Sequence, residues 1–120
     1  MTRIQLSFGS ERLVAILDDS AAGRAFAGLL PLELDLTDYN ATEKVSQLPA
    51  RLDTTGAPAA CAARAGDLTY YAPWGNLAIF YRDFPSARGL VRLGTIEGGL
   101  GPLARSGALH VRIEAAPAEG

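Results

Sequence analysis

Three short segments of this chain alternate apolar and polar residues with a period of two. In "RIQLSF", Ile4, Leu6 and Phe8 share one face and Arg3, Gln5 and Ser7 the other. "LELDLTDY" sets Leu32, Leu34 and Leu36 against Glu33, Asp35 and Thr37. "ALHVRIEA" sets Leu109, Val111 and Ile113 against His110, Arg112 and Glu114. Successive side chains of a strand point to opposite faces, so each segment reads as a strand with one buried side. A chain dominated by such strands must bury that side against another layer or against itself.

The segments between them fill in the pattern. "RLVAILD" follows the turn residues Gly9 and Ser10 and completes an N-terminal hairpin. It is apolar on both faces, so its outer side needs a cover. "DDSAAGRAFAGLLP" offers Asp18, Asp19 and Ser20 as N-caps, then Ala22, Phe26, Leu29 and Leu30 at helical spacing, then Pro31 as a stop. This predicts a helix near residues 19–30, the expected cover. "DLTYYA" and "NLAIFYR" read as strands on either side of Pro73-Trp74-Gly75-Asn76, where Gly75 suits the positive φ of a type II turn. "LVRLGTIE" is a further strand whose Gly94 marks a bulge or a close backbone approach. "GGLGPLARSG" reads as a Gly-rich loop with one helical turn at 102–105. "NATEKVSQLPARLDTTGAPAACAARAG" reads as a long connection with one short turn of helix, and "DFPSARG" as a break. Connections that long are uncommon in compact domains and often functional.

Seven strands, one early helix and no βαβ rhythm predict a mainly β fold. Closing the sheet removes exposed edges, which favours a small antiparallel β-barrel with the helix capping one end; a two-layer α+β sheet is the alternative. One domain is expected over residues 1–116, with a loose tail at 117–120. Apolar residues make up 48% of the chain, charged residues 20%, and the net charge is −2, which gives no electrostatic reason to expect nucleic acid. No stretch approaches the ~18 apolar residues of a membrane span, and "MTRIQLSFGSERL" carries no cleavage signature. A cytoplasmic location with no membrane partner is expected. The one cysteine, Cys61, matches no disulfide, zinc or redox spacing, so neither metal nor cofactor is expected.

Three stretches, "DLTDYNATEKVSQLP", "GDLTYYAPWGNLAIFY" and "GLVRLGTIEGGL", resemble the small bacterial cyclophilin-like fold proteins. The most specific part is Gly66-Asp67 followed by Tyr71, Pro73-Trp74-Gly75-Asn76 and Tyr81. The resemblance implies a mostly antiparallel closed barrel with a capping helix, in a group most of whose members have no established activity. True cyclophilin isomerases carry a Phe-His-Arg motif whose Arg is catalytic. The single histidine here, His110, stands between Leu109 and Val111, so no catalytic Arg carries over.

The candidate sites divide between structural and binding readings. Five of the nine aromatic residues lie within Tyr70–Tyr81. They either pack the core and seal a barrel end or line a groove. Tyr70 and Tyr71 must face opposite sides, as must Phe80 and Tyr81, so one set is left outside any single interior. A groove of Tyr and Trp suits a small molecule or a short peptide, because these side chains join apolar area to a polar tip. Tyr39, Lys44, Tyr71, Trp74, Asn76 and Tyr81 are the candidate ligand-binding residues. Asp38, Tyr39, Glu43 and Lys44 gather where a strand opens into the long connection. They are either surface polar residues, with Thr42 capping a helical turn, or a set that orients a polar ligand. The alternative function is peptidyl-prolyl isomerisation, which requires binding the twisted amide better than either planar form. Arg82, beside Tyr81, is the one candidate donor. His110 reads as a solvated histidine, and "EGGLG", lacking a following Lys, as a connection. An exposed aromatic face could also pair two copies, so monomer and homodimer both stay open.

Overall fold

A computed structural model describes residues 2–117. Within them the chain forms ten strands and one α-helix: β1 (Thr2–Phe8), β2 (Glu11–Leu17), α1 (Ala21–Ala27), β3 (Leu32–Tyr39), β4 (Glu43–Gln47), β5 (Ala60–Ala63), β6 (Asp67–Tyr71), β7 (Asn76–Phe80), β8 (Phe84–Arg88), β9 (Leu90–Glu97) and β10 (Leu109–Ala115). Eight of them close into an antiparallel barrel in the order β1-β10-β3-β4-β7-β6-β9-β2. The remaining two, β5 and β8, pair as a separate two-stranded arm. The expected tail at 117–120 falls, beyond Pro117, outside the described residues.

Alternation decides which side chains fill the barrel. Ile4, Leu6, Leu36, Leu77, Ile79, Leu93, Val111 and Ile113 are fully buried in one core. Fully burying such a side chain contributes roughly 1.5–3 kcal/mol each, and this core is the main source of stability. Gly94 sits where β9 slips by one residue against β6: Leu68 pairs with Gly94 but Thr69 with Arg92. A Cβ on Gly94 would collide with the Ile16 carbonyl of β2, so the bulge and the close approach are one feature.

Two elements close the ends. Between β2 and β3, α1 starts at Ser20, whose hydroxyl accepts from the Gly23 N–H at 3.0 Å. It drives Phe26, fully buried, into one end of the barrel. The helix is shorter than the expected 19–30. It ends at Ala27 because Gly28 weakens the next turn and Pro31 biases Leu30 away from helical geometry. It also plugs the end of the barrel rather than covering β2, whose outward Val14 and Ile16 stay half-exposed. At the other end a 3₁₀ turn, Gly101–Ala104, brings Leu103 into the same core.

The long connection and the "DFPSARG" break are corrected. Residues 43–47 form β4, a full member of the barrel between β3 and β7. The turn into it, Tyr39–Thr42, carries Asn40 and Ala41 at φ 52° and 51°, the hairpin geometry usually signalled by Asn-Gly. Thr42 therefore closes a hairpin rather than capping a helix, its N–H donating to the Tyr39 carbonyl at 3.2 Å. The arm strands β5 and β8 cover Ala78 and Phe80 on the outside of β7, where a second small core forms with Ala63 and Leu90.

Candidate functional site

The turn between β6 and β7 is held from several sides. The Gly75 N–H donates to the Tyr71 carbonyl at 2.9 Å, and Gly75 adopts φ 70°. The N–H groups of both Trp74 and Gly75 bond back to Tyr71, so the bend spans Tyr71 to Gly75 with helix-like hydrogen bonding rather than the four-residue type II form expected. Gln47 Nε2 donates to the Trp74 carbonyl at 2.9 Å, and Arg51 Nη1 to the Ala72 carbonyl at 2.8 Å. This bracing fixes the backbone that carries the indole.

Parity then sorts the aromatic residues. Tyr70 points inward, and its phenol oxygen accepts from the Leu52 N–H at 3.3 Å. Tyr71 points outward. Phe80 also faces out, buried beneath the arm against Phe84 at 5.5 Å between ring centroids. Trp74 lies across the outer wall with Tyr39 and Tyr71 edge-on to it, at centroid distances of 5.7 and 5.2 Å and interplanar angles of 85° and 89°. These three rings border a cavity of about 240 Å³ whose remaining walls come from Asn40, Glu43, Val45, Asn76, Ala78, Phe80 and Leu90 of the barrel and from Phe84 and Ala87 of the arm. Trp74 remains 52% exposed and Tyr39 40%. Both readings of the aromatic stretch hold in part: Tyr70 and Phe80 pack cores, while Tyr71 and Trp74 border an open groove.

Glu43 is the one charged side chain among the described residues lining this cavity. It is 91% removed from solvent by its neighbours, being 9% exposed. Its carboxylate has one hydrogen-bond partner among the described residues, the Thr42 hydroxyl at 3.4 Å. That hydroxyl also lies 3.3 Å from the Tyr39 carbonyl and has one proton for the two acceptors. Loss of water around Glu43 pushes its pKa above the ordinary carboxylate value, an effect the Thr42 hydroxyl only partly offsets. The sequence carried a clue to Glu43, because it stands close to Tyr39 in "DYNATEK", and the two pair directly across residues 40–42. The walls supplied by Phe84 and Ala87 have no such clue, since neither arm strand alternates apolar and polar residues.

A family model described as the Cyclophilin-like family matches residues 6–114. This chain belongs to the cyclophilin-like family. Among curated proteins none matches it. Among solved structures it is similar to a hypothetical protein of Archaeoglobus fulgidus determined in solution, with a TM-score of 0.67 and 18% identity over 96% of this chain and 95% of that one. At that identity the likeness speaks for the fold.

The other candidate residues of this cyclophilin-like barrel form a second cluster, apart from the groove. Lys44 follows Glu43 on β4 and so points the opposite way, into the barrel mouth below the 105–107 loop. Its ammonium is fully buried and donates to Asp38 Oδ1 at 2.7 Å and to the carbonyls of Arg105 and Gly107 at 2.6 and 2.7 Å. Three donors meet three acceptors. Asp38 also accepts from the Gly107 N–H at 2.6 Å and from the Tyr81 hydroxyl at 3.0 Å. The Lys44 hydrogen bond, then the Gly107 N–H, hold Asp38 below the ordinary carboxylate range. Desolvation, reinforced by Asp38, raises Tyr81. The groove therefore gathers Tyr39, Tyr71, Trp74 and Asn76, while Lys44 and Tyr81 lie in the clamp.

Arg82 is exposed on the bend after β7 and is not among the residues lining the groove. His110 is exposed on β10 opposite Asp35, with Nδ1 2.9 Å from Asp35 Oδ1 and Nε2 3.4 Å from Glu33 Oε1. The two acids raise its pKa, Asp35 the more. Among the described residues no group of three or more His, Cys, Asp and Glu side chains is arranged to hold a metal ion, and no helix is long and apolar enough to cross a membrane.

Proposed function

We propose that this cyclophilin-like barrel is a binding module that holds a small molecule in the groove bordered by Tyr39, Tyr71, Trp74 and Asn76. The observation that supports this reading is an indole 52% exposed, on a turn braced by Gln47 and Arg51, beside a cavity of about 240 Å³. A rigid aromatic wall presented to water gains most when a ligand covers it, because little ordering remains to be done on binding. A cavity of this volume lies just below the roughly 300–1,000 Å³ typical of drug-sized ligand pockets, which points to a small occupant. Arg82, on which an isomerase would depend, lies outside the lining, which favours the binding role.

The test is a fragment screen followed through backbone amide shifts and through the fluorescence of Trp74, the chain's single tryptophan. Hits should shift amides of residues 39–45 and 71–78, and W74A should abolish those shifts while keeping a dispersed spectrum. The indole's ring contacts are with Tyr39 and Tyr71 on the outer wall, so its removal leaves the barrel core intact. Fragments that bind the folded W74A protein as tightly as the wild type would overturn the proposal.

A further inference from the structure

Taking the groove as a binding site, its chemistry narrows what it binds. Twelve residues line the cavity, and Glu43 alone among them carries a formal charge. That carboxylate has no ionic partner among the described residues, although charged carboxylates are seldom buried without one. Its one hydrogen bond is long and shared with the Tyr39 carbonyl. A carboxylate offers about four acceptor sites, so most of its capacity is left to water or to a ligand entering the groove.

The rings beside it point to the same class of occupant. Aromatic faces attract cations, Trp most strongly, and open arrangements of Trp and Tyr rings recognise ammonium groups in general. Here Tyr39 and Tyr71 pack nearly perpendicular to the indole, at 85° and 89°, and all three rings border the cavity. Val45, Ala78, Phe84, Ala87 and Leu90 supply apolar area around the same cavity. A ligand matched to all of this carries one positive charge with hydrogen-bond donors and an apolar stem.

We propose that the groove takes a small organic ammonium ion, its –NH₃⁺ group paired with Glu43 and its apolar stem against Trp74 and Tyr71. An anion would meet an unpaired carboxylate and no basic side chain in the lining. A neutral alcohol could cover the rings but would leave the charge of Glu43 uncompensated. The occupant proposed is a free amine; a lysine side chain carries the same ammonium and would fit the same cavity of about 240 Å³, so the experiment separates the two sources.

The experiment compares four probes on the wild-type protein near neutral pH: phenethylammonium, 2-phenylethanol, 3-phenylpropionate and an uncharged-flank pentapeptide with a central lysine. Phenethylammonium should shift the amides of residues 39–45 and change Trp74 fluorescence. It should bind at least about tenfold more tightly than the alcohol, the difference a charge-assisted hydrogen bond supplies. The propionate should not bind. E43Q, with its spectrum checked for folding, should lose about tenfold for the amine and leave the alcohol unchanged. Equal binding of amine, alcohol and propionate would overturn the ammonium assignment while leaving the groove's binding role standing. So would an amine affinity that E43Q does not alter. Tighter binding of the lysine peptide than of the free amine would overturn the small-molecule source. Absence of binding by all four would overturn the proposal, and the broader fragment screen would then decide the binding role separately.

Discussion

Replacing Lys44 by Met removes the centre of the clamp at the barrel mouth while nearly conserving volume. The lost ammonium makes three charge-assisted hydrogen bonds at 2.6–2.7 Å and is fully enclosed. Breaking one partner out of a buried ion pair costs about 3–5 kcal/mol. Two features put K44M at the lower end of that range. The freed carbonyls belong to the exposed residues Arg105 and Gly107, which water can reach, and Asp38 is 27% exposed and keeps the Gly107 N–H and the Tyr81 hydroxyl. A loss of about 3 kcal/mol is expected, or roughly 12 °C in Tm for a domain of this size. Urea unfolding at neutral pH measures it. The double variant K44M/D38N should lose less than the two single variants together, since neither side chain then leaves the other unpaired. The acid limb gives a second reading. Asp38 has a folded pKa below its unfolded value, so its contribution is full above about pH 4 and disappears as pH falls through the lower, folded value. With its largest cause removed, K44M should show a shallower acid loss than the wild type. A K44M loss below 1 kcal/mol, or strictly additive single variants, would refute the view of Lys44 as a structural tie.

Three further outcomes follow from the geometry. G94A should lose stability at the upper end of roughly 1–3 kcal/mol in urea melts, because the atoms its Cβ would strike belong to the β2 backbone. An unchanged melt would mean the β2–β9 approach is looser than described. A41G should hold or raise stability by up to ~1 kcal/mol, since Ala41 sits at φ 51°, where an L-residue is disfavoured by about 1–2 kcal/mol and glycine's extra unfolded freedom returns part of that. A clear loss in thermal melts would contradict it. His110 should titrate above the ordinary value of about 6.5 in NMR pH series, and D35N should bring it back down. The raised folded pKa means that its contribution is present below the unfolded value and is lost as pH rises through the folded one. An unmoved His110 titration in D35N would refute the pairing.

What the sequence revealed and concealed follows from how side chains pack. β1, β3 and β10 were legible because one face of each lies in the barrel and the other in water, which writes the period of two directly. The split of Tyr70 from Tyr71 and of Phe80 from Tyr81 followed from the same rule. β4 was hidden because its inward positions hold Lys44 and Ser46 rather than apolar residues, and the turn before it uses Asn-Ala in place of Asn-Gly. β5 is four residues of Ala and Cys, and β8 contains Pro85, which a two-stranded arm tolerates because one side of each strand has no partner. The groove was half legible. Tyr39, Tyr71, Trp74 and Asn76 stood out as aromatic and turn residues, but their assembly depends on β4 lying between β3 and β7. Proximity in sequence groups Lys44 and Tyr81 with them, but the pleat carries both to the other face.

That pleat has a consequence for folding fidelity. β4 has one aliphatic side chain, Val45, so oily residues alone say little about how it aligns with β3 and β7. Glu43 and Lys44, adjacent and opposite in sign, supply the missing instruction. A misalignment by a single position would take the ammonium away from Asp38 and the two loop carbonyls and bring the carboxylate in beneath them, where like would face like. Two neighbouring charges thus act as a key that admits only one threading of the strand.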